Sequence, residues 1–170
     1  MKSGYDMGRM GSFDLRELRK LQERLNRISE PEINAFLEEC VKQLAAKLLA
    51  KVIRRTPTGD YPKESGKKGG TLKRGWTASQ KGSGAEGLHS RSAKQYVDTL
   101  TVHRYGGYLV IEIINPVEYA SYVEYGHRTA NHTGWVKGRF MMTIAEQEIR
   151  QATPAMLERK IMKFFREHLQ

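Results

Sequence analysis

The sequence predicts an α+β protein, and three observations lead to this prediction. Apolar residues recur at helical spacing over residues 12–55, alternate as in a β-hairpin over about 96–115, and return to helical spacing toward the C-terminus. The length of 170 residues suits one domain, 1–170. The domain is predicted to consist of five parts in chain order. They are a flexible N-terminus (1–11), a helical part (12–55), a mobile basic loop (56–92), a core of sheet and helix (93–150) and a C-terminal helix (151–170).

Capping signals define the two predicted N-terminal helices. Asp14 can cap the first helix, because Glu17 follows three residues later as in a capping box. The apolar positions of this helix form one narrow stripe: Leu18, Leu21, Leu25 and Ile28. A second capping box begins at Ser29, and Pro57 is expected to end that helix near Arg55, because proline disfavours helical geometry in the residue before it.

The positive charge is concentrated in the middle of the chain. The net charge is +10, and residues 47–104 hold 13 Lys and Arg against 4 Asp and Glu. Within this region, residues 56–92 are rich in Gly, Ser and Lys and poor in apolar residues, so they are predicted to form a long, mobile, basic loop. A short strand that carries Trp76 is predicted inside the loop, over 72–79.

A β-hairpin is predicted after the loop. Tyr96, Leu100 and Val102 share one face of the first strand, and Gly106 with Gly107 forms a two-residue turn. The return strand, 108–115, is apolar on both faces, which indicates that helices or a neighbouring subunit cover both of them.

Three helical segments are predicted to complete the fold. A short helix over 117–125 should end at Gly126, because glycine commonly follows a helix C-terminus. A longer helix runs from Arg139 to about Arg150. A last helix begins at Pro154 and has Thr153 as its cap.

The sequence shows no catalytic constellation. Cys40 is the one cysteine, which excludes an internal disulfide and a cysteine-ligated zinc cluster. His127 and His132 with Glu124 could in principle hold a metal or act as a base, but their spacing matches no metal motif, and surface or interface histidines are the favoured interpretation. We therefore expect no enzyme activity, cofactor or metal. We also expect no signal peptide and no contact with a membrane.

The basic region is the first functional clue. Its cations could neutralise an anionic partner without regard to sequence. The candidate contacts are Arg54, Arg55, Lys67, Lys68, Lys73 and Arg74. One alternative is a sequence-independent nucleic-acid-binding protein that uses residues 47–104, and another is a solvated loop whose charge serves solubility.

Three segments together resemble a known family. They are YASYVEYGHR at 119–128, VKGRFMM at 136–142, and RTPTG at 55–59 followed by GTLKRGW at 70–76. In this order they resemble the head–tail joining proteins of long-tailed bacteriophages and prophages, also described as neck, tail-completion or tail-component proteins. The likeness covers residues 12–150. The chain departs from the family pattern by the insertion of KKGG at 67–70, which makes the loop longer and more basic.

The resemblance implies a structural virion protein that acts by assembly rather than catalysis. It implies synthesis in the host bacterial cytoplasm, a location at the head–tail junction, and a ring of six or twelve copies. Its neighbours would be head-completion or connector proteins and tail-terminator or tail-tube proteins, with DNA in the channel as a further contact. The basic loop is expected to become ordered against neighbouring subunits during assembly, which would cover Leu72, Trp76 and Leu88.

The motif at 119–128 also supplies the candidate subunit interface. A helix there places Tyr119, Tyr122 and Val123 on one face, beside charged residues. Tyrosine and arginine are enriched in protein interfaces, although packing in the core would be the simpler role for an apolar helix face. The candidate interface residues are Tyr119, Tyr122, Glu124, Tyr125, Arg128 and Phe140.

Overall fold

The computed structural model describes residues 16–66, 68–78 and 92–169. Within these ranges the α+β prediction is confirmed, with six α-helices and two antiparallel sheets of two strands each. The helices are α1 (Arg16–Leu25), α2 (Glu30–Arg55), α3 (Thr71–Gly75), α4 (Ala93–Asp98), α5 (Ala120–Tyr125) and α6 (Met141–His168), with a 3-10 helix at Lys63–Ser65. The strand pairs are β1 (His103–Tyr105) with β2 (Tyr108–Val110), and β3 (Gly126–Arg128) with β4 (Trp135–Lys137).

The predicted bounds of α2 are confirmed. The Ser29 hydroxyl accepts from the amide of Glu32 at 3.4 Å, and the Glu32 carboxylate accepts from the amide of Ser29 at 2.8 Å. This reciprocal pair satisfies two amides that have no partner inside the helix. The helix ends at Arg55, and Thr56 is its C-cap. The predicted cap of α1, Asp14, lies outside the described residues.

Helices α2 and α6 form the scaffold of the fold. Lys51 contacts Glu148, whereas Glu39, earlier in α2, contacts Lys160, later in α6, so the two helices run antiparallel. The core lies between them and the shorter elements. Its largest fully buried side chains are Leu49, Val52, Val97 and Met141. No helix among the described residues has the length and apolar character needed to cross a membrane.

The predicted break near residue 153 is wrong, because α6 continues through Pro154. The proline cannot donate to the carbonyl one turn earlier, and such a loss costs about 3 kcal/mol in a helix interior. Contacts with α2 on both sides of the proline, at Glu148 and at Lys160, hold the helix together across it. Thr153 is not a cap, since its hydroxyl donates to the carbonyl of Ile149 at 2.7 Å.

The hairpin is shorter than predicted. Its Gly106–Gly107 turn is confirmed, but the strands cover only 103–110 and the predicted strand around Tyr96 is wrong. Residues 93–98 form α4 instead, which begins with a capping box between Ser92 and Gln95. This arrangement buries Tyr96, whose hydroxyl donates to the carbonyl of Ala78 at 2.9 Å. Beyond β2, alternate residues pack on the core and the others stay exposed, so only one face is covered within the subunit.

The predicted mobile loop is wrong over residues 68–78. The segment at 71–75 is the helix α3 rather than a strand, and it carries Leu72 and Trp76 into the core. The Trp76 indole donates to the hydroxyl of Thr56 at 2.8 Å. Trp76 is therefore covered by its own subunit and needs no neighbour to bury it. Residues 79–91 of the predicted loop, with Leu88, lie outside the described residues.

Candidate subunit interface

A buried carboxylate joins α5 to the start of α6. Glu124, which is 6% exposed, accepts from the amide of Met142 at 3.0 Å. Its other oxygen accepts from the amide of Thr143 at 3.0 Å and from the Thr143 hydroxyl at 2.8 Å. Amides in the first turn of a helix have no partner inside it, and the helix dipole favours a negative charge there. Glu124 therefore acts as the cap of α6 from a different element of the fold.

Close backbone contacts fix the same junction. The amide of Arg139 donates to the carbonyl of Val123 at 2.8 Å, and the amide of Phe140 donates to the carbonyl of Glu124 at 3.0 Å. Directly before Arg139, a Cβ added to Gly138 would lie 2.3 Å from the carbonyl oxygen of Glu124. No L side chain fits at that distance, so the chain passes α5 only because residue 138 is glycine.

The hairpin β3–β4 extends from this junction. His127 pairs with Val136 and Arg128 with Trp135, and Gly126 begins the hairpin with a φ of 89°. The tip, residues 129–134, is ordered by its own polar groups. Several of these contacts involve Thr129: its amide donates to the carbonyl of Gly134 at 3.0 Å, its hydroxyl donates to the Asn131 amide oxygen at 2.6 Å, and the same hydroxyl accepts from the Gly134 amide at 2.9 Å.

Large aromatic side chains surround the base of this hairpin and remain exposed. Tyr122 is 58% exposed, Tyr125 64% and Trp135 63%. Further exposed members are Tyr119, Val136 and Phe140. The ring of Tyr122 lies 5.7 Å from that of His127, and the Trp135 indole lies beside the backbone of Gly126. We call these side chains the aromatic surface.

The structure separates the predicted interface residues into two groups. Tyr119, Tyr122, Tyr125, Arg128 and Phe140 are exposed and lie on consecutive elements around the hairpin. Glu124 is buried, and its two carboxylate oxygens are used within the subunit, so it positions the junction from the inside.

Sequence reasoning missed Trp135 and Val136. They belong to a strand of only three residues, which is too short to give a periodic pattern. A tryptophan between two polar, glycine-containing segments was the one available signal.

The six cations predicted to contact an anionic partner differ in their surroundings. Arg55 forms an ion pair with Glu148, and Arg74 donates to the carbonyl of Gly69 at 3.2 Å. Arg54 and Lys68 are exposed and Lys73 is half-buried, while Lys67 lies outside the described residues. Of the five described cations, Arg55 and Arg74 are therefore engaged by groups of their own subunit.

The side chains that suggested chemistry have ordinary surroundings. Among the residues that the structure describes, no group of three or more His, Cys, Asp and Glu could hold a metal ion. Cys40 is buried, and this burial raises the pKa of its thiol above the usual value. His132 lies at the exposed hairpin tip, and His127 packs against Tyr122.

Comparison with known proteins identifies a family. A family model described as "Bacteriophage HK97-gp10, putative tail-component" matches residues 19–126, which run from α1 to the first residue of β3. No curated protein and no solved structure matched the chain. Members of this family are structural components of the virion and contact other virion proteins. Because the match covers more than half of the chain, including α5 and its exposed tyrosines, the chain belongs to the HK97-gp10-like family of bacteriophage tail components.

Proposed function

We propose that the protein is a non-catalytic subunit of a homo-oligomeric ring at the head–tail junction, and that the aromatic surface contacts the neighbouring copy. The observation that carries the proposal is the exposure of Tyr122, Tyr125 and Trp135 at one junction of the fold. Tyrosine, tryptophan and arginine are enriched among the residues whose truncation strongly weakens protein interfaces. Arg128, exposed on the same hairpin, adds the third of these residue types.

Rigidity of the junction supports the same role. The bonds from Glu124 to the start of α6 and the close passage of Gly138 fix the hairpin relative to α5. A surface that is already ordered before binding loses less conformational entropy when it binds. The backbone that carries the exposed rings is therefore held in one arrangement, which suits repeated contacts between identical copies.

A ring also needs a second surface on each copy. In a closed heterologous ring, a patch on one copy meets a different patch on the next copy. We propose six or twelve copies. The adjoining proteins would be head-completion or connector proteins on one side and tail-terminator or tail-tube proteins on the other. The exposed cations Arg54 and Lys68, with Lys73, would face an anionic partner, which is an acidic surface of an adjoining ring or the DNA in the channel.

The test is the assembly of the purified protein by native mass spectrometry and electron microscopy, alone and mixed with tails. Tyr122→Ala and Trp135→Ala should each raise the dissociation constant of the ring by about 30-fold, which corresponds to about 2 kcal/mol per hot spot. Tyr108→Ala is the matched control, because Tyr108 is 78% exposed on the other hairpin.

The outcomes separate the parts of the proposal. A ring that forms equally well from the two aromatic variants would exclude the aromatic surface as the contact. A wild-type chain that stays monomeric both alone and with tails would exclude the ring itself.

A further inference from the structure

A pocket with a volume of about 350 Å³ lies beside the aromatic surface. Its walls come from four parts of the chain: residues 57–61 after α2, residues 68–72 at α3, the helix α5, and Arg139 just before α6. All three segments that resemble the bacteriophage family contribute residues to it. Lys68 and Gly69 belong to the insertion at 67–70, so the part of the loop that departs from the family pattern also lines the pocket.

Close backbone packing fixes the walls of the pocket. A Cβ added to Gly69 would overlap the carbonyl oxygen of Gly59, so these two backbones can touch only because residue 69 is glycine. Leu72, which is 4% exposed, anchors the next residues in the core. On the α5 side, the amide of Arg139 donates to the carbonyl of Val123 at 2.8 Å. The backbone around the pocket is therefore held in place within the subunit.

The charged side chains that line the pocket are cations. Lys68 and Arg139 are both lining residues, and the lining contains no Asp or Glu. Among the residues that the structure describes, no carboxylate forms an ion pair with either of these two cations. Both cations are exposed and available to a group that enters from outside.

The charge stays positive when the residues next to the lining are counted. Lys73 follows the lining, and the guanidinium of Arg74 donates to the carbonyl of Gly69 at 3.2 Å. Two acids next to the lining are exposed, and a third is buried against the start of α6: Asp60, Glu118 and Glu124. The described total is four cations and three acids, and all three acids lie outside the lining.

The uncharged part of the lining suits an anionic group on a short apolar stem. Thr58, Thr71, Tyr61 and Tyr119 carry hydroxyl groups that can donate hydrogen bonds. Val123 and the two tyrosine rings supply apolar surface. A carboxylate accepts hydrogen bonds from guanidinium, ammonium and hydroxyl groups, and the methylene groups of an aspartate or glutamate can pack on the apolar surface.

We propose that this pocket receives the carboxylate of an aspartate or glutamate from an adjoining protein of the virion. Arg139 and Lys68 bind its oxygens, and the tyrosine rings pack against its stem. Tyr119 belongs to both the pocket and the aromatic surface, so a protein that contacts this surface also reaches the pocket. This inference rests on the proposed function, because it names the chemical group that a neighbour presents beside the aromatic surface.

A protein side chain fits this pocket better than a phosphate of duplex DNA does. A DNA phosphate is joined to sugars on the convex surface of the duplex, and it binds cations mainly through charge. It would leave the apolar part of the lining uncovered. An acidic side chain covers this part and meets the cations at the same time.

Peptide binding to the full-length protein tests the pocket. The probe is acetyl-leucyl-aspartyl amide, and its neutral counterpart is acetyl-leucyl-asparaginyl amide. Binding is followed by the amide NMR signals of Gly69, Gly70 and Thr71. We expect the aspartyl peptide to shift these signals and the neutral peptide to bind about fivefold more weakly, as for an exposed ion pair.

Charge variants then identify the residues that bind the carboxylate. Arg139→Gln and Lys68→Gln should each weaken the binding of the aspartyl peptide by about fivefold. Arg54→Gln is the matched control, because Arg54 is exposed but does not line the pocket, and it should leave the binding unchanged. Equal binding of the two peptides, or an equal loss in all three variants, would exclude the pocket as a carboxylate site. A short DNA duplex that shifts the same signals through Arg139 would assign the pocket to phosphate and overturn the proposal.

Assembly of Arg139→Gln identifies the source of the carboxylate. A weaker ring from the protein alone would show that the carboxylate belongs to the next copy. A normal ring that joins tails less well would show that it belongs to a tail protein. Normal assembly in both respects would exclude a role of the pocket in the virion. Peptide binding is measured on the single subunit, so it can succeed even if no ring forms, and a ring can form even if no peptide binds.

Discussion

The carboxylate of Glu124 accepts two hydrogen bonds from Thr143, one from its amide at 3.0 Å and one from its hydroxyl at 2.8 Å. The two residues are 19 positions apart, with the whole β3–β4 hairpin between them. The contact closes the base of the hairpin and fixes the direction of α5 relative to α6. Tyr122 and Tyr125 lie on α5, the helix that this buried pair holds in place.

Replacing Glu124 with Gln should destabilise the fold. The amide keeps the shape of the side chain but turns one acceptor oxygen into a donor, which then faces an amide of α6. We expect a loss of about 1 to 3 kcal/mol in the free energy of unfolding, measured with urea. Glu118→Gln is the control, because Glu118 is exposed just before α5. Equal stabilities for the two variants would show that the buried contact contributes nothing.

A methyl group at Gly138 should be more disruptive than one at an open glycine. Gly138→Ala places a Cβ 2.3 Å from the carbonyl of Glu124, so the hairpin must move away from α5. We expect a loss of about 2 kcal/mol or more, in line with other strained backbone sites. Gly107→Ala has no atom within 4 Å of the added Cβ and should unfold near the wild-type temperature. A small, equal shift for both variants in thermal unfolding would contradict the close packing.

The ion pair between α2 and α6 should give the stability a dependence on pH. The hydrogen bond from Lys51, and then the charge of Arg55, hold the pKa of Glu148 below its ordinary value of 4.5. A carboxyl group whose pKa is lowered by folding stabilises the fold above its unfolded pKa, and this contribution is lost as the pH falls through the folded value.

Wild type should therefore be more stable than Glu148→Gln at neutral pH, and the difference should close as the pH falls below 4.5. Urea titrations at a series of pH values measure it. Glu158→Gln, on an exposed part of α6, is the control. A difference that grows on acidification would reverse the expected sign.

The segment around α3 should resist proteolysis in the free subunit. Trp76 is buried and bound to Thr56, so trypsin should cut after Lys73 and Arg74 only when the segment opens. Trp76→Ala should cost about 3 to 5 kcal/mol and expose both sites to rapid cleavage. Trp135→Ala makes the same chemical change at a side chain that is 63% exposed and should leave both sites protected. Fast cleavage of the wild type at these bonds would show that α3 is not held in place.

Local signals predicted α2 well, but they failed for the short elements and for the middle of α6. The capping box at Ser29 predicted α2. The similar pair of Ser92 and Gln95 at the start of α4 was not recognised as a helix start. Alternating apolar residues beyond Tyr96 favoured a strand there, although the spacing of Tyr96 and Leu100 is equally helical. Pro154 locally favours the end of a helix, but α6 continues through it because of its contacts with α2. These contacts join residues far apart in the chain, so a local stretch of sequence does not reveal them.

The same division holds for the candidate site. The tyrosines of α5 were predicted as interface candidates because they belong to the motif at 119–128. The capping of α6 by the buried Glu124 carboxylate was not predicted, because it depends on where the first turn of α6 lies in space. The burial of Trp76 was not predicted, because the low average hydrophobicity of residues 56–92 concealed the buried cluster at 71–78.

The antiparallel pairing of α2 and α6 gives the subunit a mechanical property. With 26 residues, α2 is about 39 Å long. It is joined to α6 at several heights, by Lys51 with Glu148, Glu39 with Lys160, and Phe36 with Phe164, whose rings are 4.5 Å apart. Sliding one helix along the other would break all three contacts. The pair therefore holds the α1 end and the β3–β4 end of the subunit at a fixed separation for as long as these contacts remain.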